Sequence, residues 1–116
     1  MKSSALFIVT GDPRISGKVA EAIRIAAGVG AWKKVDVTLY LHGPAVLALS
    51  EFPDELVDED HFTRYLPIVA EFGRPVFVEK GAPLLEELGD APVSHQEISP
   101  RELRQLAAQS RYLLRF

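Results

Sequence analysis

The sequence predicts a three-layer α/β/α sandwich on a mainly parallel sheet of about five strands. Apolar runs in this chain are continuous rather than alternating, which is typical of strands that helices cover on both faces. These runs alternate with segments of helical periodicity along almost the whole chain, the order expected for successive βαβ units. At 116 residues, the chain is expected to form a single domain, 1–116.

The first strand and helix are predicted near the amino terminus. Residues 5–9 are an unbroken apolar run that ends at a turn. Apolar positions then recur at helical spacing over residues 17–27, with Ser16 as the predicted N-cap. Gly28 and Gly30 predict the end of this helix.

A second strand and two helices are predicted in the middle of the chain. β-branched and aromatic residues favour a strand at residues 35–41, and Pro44 suits the first turn of a short helix after it. Six acids among residues 51–60 predict an exposed, mobile connection. The next helix is expected to end at Gly73 and to kink or restart at Pro67.

The last third of the chain predicts three more strands. They are expected at residues 74–78, more weakly at 93–98, and at 112–114, with a short helix within 81–89. The segment Ser99-Pro100-Arg101-Glu102 combines a Ser cap, Pro at the first helical position and Glu at the capping-box position. It therefore predicts a helix before the last strand.

Composition and charge exclude several classes of function. The chain has no cysteine, which excludes disulfides, thiolate metal ligands and thiol intermediates in it. The net charge is −3 and the basic residues are scattered, so we expect no nucleic-acid partner. No apolar run approaches a membrane span. The start, Met1-Lys2-Ser3-Ser4, leads into an apolar run shorter than a signal-peptide core, which predicts a cytoplasmic protein.

The candidate site lies in the loops that follow the strands. In open parallel sheets, ligands bind beyond the carboxyl ends of the strands, which here are followed by residues 10–18, 42–44 and 79–83. Glu79 and Lys80 could act as acid–base groups or clamp a polar ligand, but adjacent residues of an extended chain point in opposite directions. A surface ion pair is the simpler alternative. The candidate ligand contacts are Gly11, Asp12, His42, Glu79 and Lys80.

Residues 11–18 follow a strand and open a helix, as a phosphate-binding loop does. Five residues rather than four separate Gly11 from Gly17, and Lys18 precedes Val19 where that motif requires Ser or Thr. An ordinary turn is therefore the main interpretation. A looser alternative is an anion held at the start of the helix by backbone amides and Lys18.

The three histidines show no metal-ligand spacing, so no metal site, cofactor or catalytic residue is assigned. His61 and His95 are expected to be solvated. His42 follows the second strand, where a hydrogen-bonded structural role is the main interpretation. An enzyme that uses Glu79 as a base beside His42 is the remaining alternative, and it requires both side chains to reach one substrate atom.

Six segments together carry a family resemblance. They are residues 5–10 (ALFIVT), 22–27 (AIRIAA), 35–43 (VDVTLYLHG), 76–79 (VFVE), 98–103 (ISPREL) and 112–114 (YLL). In these segments, which span nearly the whole chain, the sequence resembles the DsrE/DsrF-like family of small sulfur-relay proteins.

The resemblance carries an implication for function. Catalytic members of that family have a sulfur-carrying cysteine on the loop after a strand, and Glu79 occupies the matching position, or Lys80 if the register slips by one. A carboxylate cannot replace a thiolate in this chemistry, so direct sulfur carriage is excluded. The resemblance implies a subunit of homotrimers, homohexamers or mixed hexamers with related DsrE-like subunits. The leading hypothesis is a non-catalytic oligomeric or accessory subunit; the alternative is a protein that binds a small molecule or anion in the loops after the strands.

Overall fold

The computed structural model describes residues 3–116 and contains one five-stranded sheet. The strands are β1 Ser3–Val9, β2 Val35–Leu41, β3 Val76–Glu79, β4 His95–Ile98 and β5 Tyr112–Arg115. The helices are α1 Lys18–Ala31, α2 Glu59–Ala70 and α3 Pro100–Gln109, with 3₁₀ helices at Gly43–Leu49, Pro53–Glu55 and Pro83–Glu87. The strand order is β4-β3-β2-β1-β5 and every pairing is parallel. The predicted domain, 1–116, includes two residues outside the described ones.

Helices cover both faces of the sheet, which confirms the predicted sandwich. On one face, here called the α1 face, Phe7 and Val9 pack against α1, α2 and the 3₁₀ helices in the larger core. On the other, the α3 face, Leu6, Ile8 and Tyr40 pack against α3. The alternation of β1 between the two clusters explains its continuous apolar run, because both of its faces are buried.

Helix α1 continues through both glycines that were expected to end it. Gly30 lies against the ring of Phe72, and a Cβ at this position would overlap that ring. The glycine is therefore required where the two helices come close together, and it does not mark a helix end. The N-cap is Gly17 rather than Ser16, whose hydroxyl oxygen instead accepts a hydrogen bond from the Lys18 N–H at 3.2 Å.

The acidic segment is more ordered than the sequence predicts. It contains a turn of 3₁₀ helix at Pro53–Glu55, and Leu56 is buried in the core. Helix α2 starts in the same segment and runs through Pro67 without restarting. It ends with Glu71 as its C-cap, ahead of the predicted Gly73. The apolar anchor Leu56 explains why a segment so rich in acids packs against the domain.

Helix α3 begins as predicted. The Ser99 hydroxyl oxygen accepts a hydrogen bond from the Glu102 N–H at 3.2 Å, and the Glu102 carboxylate accepts one from the Ser99 N–H at 3.0 Å. This is a complete capping box. Leu103 and Leu106 of α3 contact the α3 face of the sheet. None of the helices within residues 3–116 is long and apolar enough to cross a membrane.

Candidate functional site

The ends of two neighbouring strands bring His42 and Glu79 together. Leu41 pairs with Val78 in the register of β2 and β3, so the residues that follow them lie side by side. Because the strands are parallel, both residues lie at the carboxyl edge of the sheet. Of the five predicted contact residues, these two are the ones that the structure joins directly.

The Glu79 carboxylate holds the start of the loop after β2. One oxygen, Oε1, accepts a hydrogen bond from the Gly43 N–H at 3.0 Å, and the other, Oε2, lies 3.4 Å from His42 Nδ1. Gly43 has a φ of +56°, in the left-handed region that favours glycine. The Glu79 side chain is 32% exposed and that of His42 49% exposed. Glu79 therefore fixes the first residue of the 3₁₀ helix and leaves His42 accessible to solvent.

A second carboxylate on the next strand binds its neighbouring loop in the same way. Glu97 of β4 accepts a hydrogen bond at Oε1 from the Gly81 N–H, at 2.9 Å. Gly81 also has a positive φ, of +76°. Glu79 and Glu97 thus each hold the glycine that follows the preceding strand. Glu97 was not among the residues predicted from the sequence. The signal that could have indicated it is an acidic residue near the end of one strand when a glycine follows the neighbouring strand.

Lys80 is separate from the His42–Glu79 pair. Its backbone N–H donates to the Ile98 carbonyl at 3.0 Å, while its side chain is exposed and forms no ion pair with any residue from 3 to 116. The pKa of Glu102 lies below its usual range, chiefly because the Ser99 N–H donates to that carboxylate, and the Lys80 charge is the smallest cause. Among the described residues, Lys80 is therefore an exposed cation at the carboxyl edge without an ion pair.

Asp12 is engaged within its own turn. Its carboxylate accepts hydrogen bonds from the Arg14 backbone N–H at 2.9 Å and from the Arg14 guanidinium at 3.0 and 2.9 Å. These bonds hold the pKa of Asp12 below its ordinary value. Gly11 beside it packs closely on Val19, where an added Cβ would come within 3.3 Å. In the described part of the chain, Gly11 and Asp12 form no hydrogen bond or ion pair with His42 or Glu79.

The start of α1 already has a carboxylate of the chain beside it. A Cβ on Gly17 would lie 2.7 Å from Asp58 Oδ2. The acidic segment is held there by a 2.8 Å hydrogen bond from the Val57 N–H to the Pro13 carbonyl. A carboxylate repels anions, so the position of Asp58 argues against an anion site at the start of α1 and favours an ordinary turn.

Tyr40 lies beneath the His42–Glu79 pair on the α3 face. It is 3% exposed, and its ring centroid lies 6.3 Å from that of His42. Burial, followed by the negative charge of Glu79, raises the pKa of the Tyr40 phenol. The site is thus a half-exposed carboxylate–imidazole pair above a buried phenol.

The other histidines lie elsewhere. His61 packs edge-on against Tyr65, with ring centroids 5.6 Å apart, and its Nδ1 is buried without a hydrogen-bond partner among the residues that the structure describes. The prediction that His61 is solvated therefore holds only for part of its side chain, because the periodicity of α2 turns Nδ1 toward the protein and leaves the residue half-buried. His95 is exposed, as expected. Within residues 3–116, no group of three potential ligand side chains could hold a metal ion.

Comparison with known proteins supports the fold. No protein-family model and no curated protein matches this sequence. Among solved structures, the chain is similar to the crystal structure of the ychN protein from E. coli, with a TM-score of 0.77 and 21% identity over all of both chains. At this identity the likeness establishes a shared fold, in agreement with the DsrE-like sandwich that the sequence resemblance implies.

Proposed function

We propose that this chain is a cysteine-free DsrE-like protein that serves as a non-catalytic, oligomer-forming subunit. Its place in the cell is the cytoplasm, where it assembles with copies of itself or with related DsrE-like subunits. Its carboxyl edge then acts as a fixed surface rather than as a sulfur carrier.

The observation that supports a non-catalytic role is that Glu79 and Glu97 each accept a hydrogen bond from the backbone of a neighbouring loop. The resemblance matches Glu79 to the family's reactive cysteine; here the Glu79 carboxylate accepts a hydrogen bond from the Gly43 N–H and contacts His42. Glu97 holds Gly81 in the same manner one strand away. Two carboxylates that accept backbone N–H groups of the loops beside them are most simply explained as groups that hold those loops.

Two measurements test this function. Light scattering across the micromolar range should give a mass that is a fixed multiple of the monomer mass. Intact-mass spectrometry after treatment with a persulfide donor should show no added sulfur, because the chain has no thiol to accept it. A monomer at every concentration would refute the oligomeric role, and turnover of sulfur by the wild-type chain would refute the non-catalytic one.

A second candidate function, binding of a small anion at the carboxyl edge, is favoured by two side chains. His42 is half exposed and Lys80 is exposed without an ion-pair partner among the described residues. His42 contacts Glu79 and Lys80 follows it in the chain, and the charge of Glu79 opposes an anion at this position.

Inorganic phosphate is a suitable probe for this second function. Amide NMR titration should shift the resonances of Gly43 and Gly81, and both Lys80→Ala and His42→Ala should abolish the shifts. Lys33→Ala is the matched control, because Lys33 follows α1 at the opposite edge of the sheet. Unchanged resonances at the carboxyl edge, or equal losses in the control variant, would count against it.

A further inference from the structure

The free edge of β5 differs from the other edge of the sheet. β4, at the far side, presents the polar residues His95, Gln96 and Glu97. β5 presents Tyr112 and Leu113, which are 48% and 45% exposed, and the exposed Arg115 at its end. Charged and polar residues on an edge strand discourage pairing with another chain, and their replacement by apolar residues favours it.

The hydrogen bonds of β5 show which backbone groups remain available at this edge. The Phe116 N–H donates to the Ile8 carbonyl at 2.9 Å, and the Phe116 carbonyl accepts from the Thr10 N–H at 3.0 Å. In a parallel ladder, alternate residues direct both groups to the same neighbour. The N–H and C=O groups of Leu114 therefore also point toward β1. Those of Leu113 and Arg115 point outward, away from the sheet.

We infer that β5 pairs antiparallel with β5 of a second copy about a two-fold axis at Leu114. Leu113 exchanges two hydrogen bonds with Arg115 of the partner subunit, and Arg115 does the same with the partner's Leu113. The two sheets then form one sheet of ten strands. This inference rests on the oligomeric role proposed above and names the surface that performs it.

The arginines select this register. An axis at Leu113 would place Arg111 opposite Arg115 of the partner subunit, and like charges directly opposite one another are destabilising. That register would also need the Arg111 N–H, which already donates to the Ser4 carbonyl at 3.0 Å. With the axis at Leu114, Arg115 lies beside an aliphatic side chain on the α3 face, as its pairing with Ile8 indicates. The two-fold contact implies an even number of subunits, as in a hexamer, and excludes a simple trimer.

Charge variants at Leu113 test the contact without burying a charge in the monomer, since this side chain is half exposed. Leu113→Lys puts a cation opposite Arg115 of the partner subunit, and we expect the mass from light scattering to fall. Leu113→Glu is the matched control: its carboxylate faces the same arginine, so assembly should persist. The double variant that carries both Leu113→Lys and Arg115→Glu should regain the assembly that Leu113→Lys alone loses.

Cysteine cross-linking tests the axis directly, against a background that has no cysteine. Opposite Cα atoms in a non-hydrogen-bonded antiparallel pair are about 4.5 Å apart, within disulfide range. Leu114→Cys should therefore form a disulfide-linked dimer on mild oxidation. Leu113→Cys should not, because its two copies lie two residues out of register, beyond about 7 Å.

The outcomes separate this inference from the function that it extends. If Leu113→Lys keeps the wild-type mass and Leu114→Cys does not cross-link, the protein is oligomeric through another surface and the β5 contact is wrong. Equal dissociation by Leu113→Lys and Leu113→Glu would overturn the register. A wild-type chain that is monomeric throughout would overturn both proposals.

Discussion

At the scale of single residues, Glu79 acts on Tyr40 as well as on the loop that it holds. Tyr40 is buried, and burial is the larger cause of its raised pKa, with the charge of Glu79 second. Glu79→Gln should therefore lower the pKa of Tyr40 but leave it above that of an exposed tyrosine. Ultraviolet titration of tyrosinate absorbance measures this, with Tyr40→Phe to identify the signal. An unchanged Tyr40 pKa in Glu79→Gln would mean that the charge of Glu79 does not contribute to the shift.

The same tyrosine predicts a loss of stability at alkaline pH. Because the folded pKa of Tyr40 is raised, the folded state holds this proton more tightly than the unfolded chain does. Its contribution to the free energy of unfolding is complete below about pH 10, the ordinary tyrosine value, and is lost as the pH rises through the folded pKa. Urea titrations of wild type and Tyr40→Phe should diverge in this range. Parallel curves would contradict the assignment.

At the scale of elements, two glycines of α1 should respond oppositely to the same substitution. Gly28 has open space around the position of a Cβ, so Gly28→Ala should stabilise the protein by about 0.5–1 kcal/mol. Gly30→Ala should destabilise it, because the new methyl group would overlap the Phe72 ring and force α1 and α2 apart. Urea denaturation of both variants measures the difference. Two changes of equal sign would contradict the helix contact.

The capping box of α3 makes a similar prediction with a pH dependence. Ser99→Ala should cost about 1 kcal/mol of stability, the usual effect of losing an N-cap hydroxyl. The pKa of Glu102 is lowered, so its contribution is present at neutral pH and is lost as the pH falls through the folded pKa. Urea titration between neutral and acidic pH should show a smaller acid loss in Glu102→Gln than in wild type. An identical acid loss would mean that the Glu102 hydrogen bonds do not stabilise the helix start.

At the scale of the whole molecule, the carboxyl edge of the sheet allows a test of which residue matches the cysteine of the DsrE/DsrF-like proteins that the sequence resembles. A thiolate at position 79 would lie near the Gly43 N–H and His42, groups that stabilise negative charge. Glu79→Cys should therefore take up sulfur from a persulfide donor faster than Lys80→Cys, whose side chain is exposed. Intact-mass spectrometry follows the uptake. Faster uptake by Lys80→Cys would assign the matching position to Lys80 instead.

The sequence predicted the strands better than the helix ends. β2 was predicted to the residue, because β-branched and aromatic residues fill it from end to end. The predicted end of α1 was wrong, because glycine occurs both at helix ends and where two helices pack closely. The contact of Gly30 with the Phe72 ring shows that close packing is its role here. In the candidate site, the strand ends were predictable, but the pairing of His42 with Glu79 depends on the register of β2 and β3.

Residue types and their periodicity by themselves determined the layered fold, the capping box and the exclusion of thiol chemistry, since each depends on local spacing or on composition. Tertiary structure decided which polar groups meet: Glu79 with Gly43, Glu97 with Gly81, and Asp58 with the start of α1. These contacts join residues far apart in the chain, and their distances follow from strand order and register. Strand order and register are set by the burial of both faces of the sheet, which requires the whole chain to be folded.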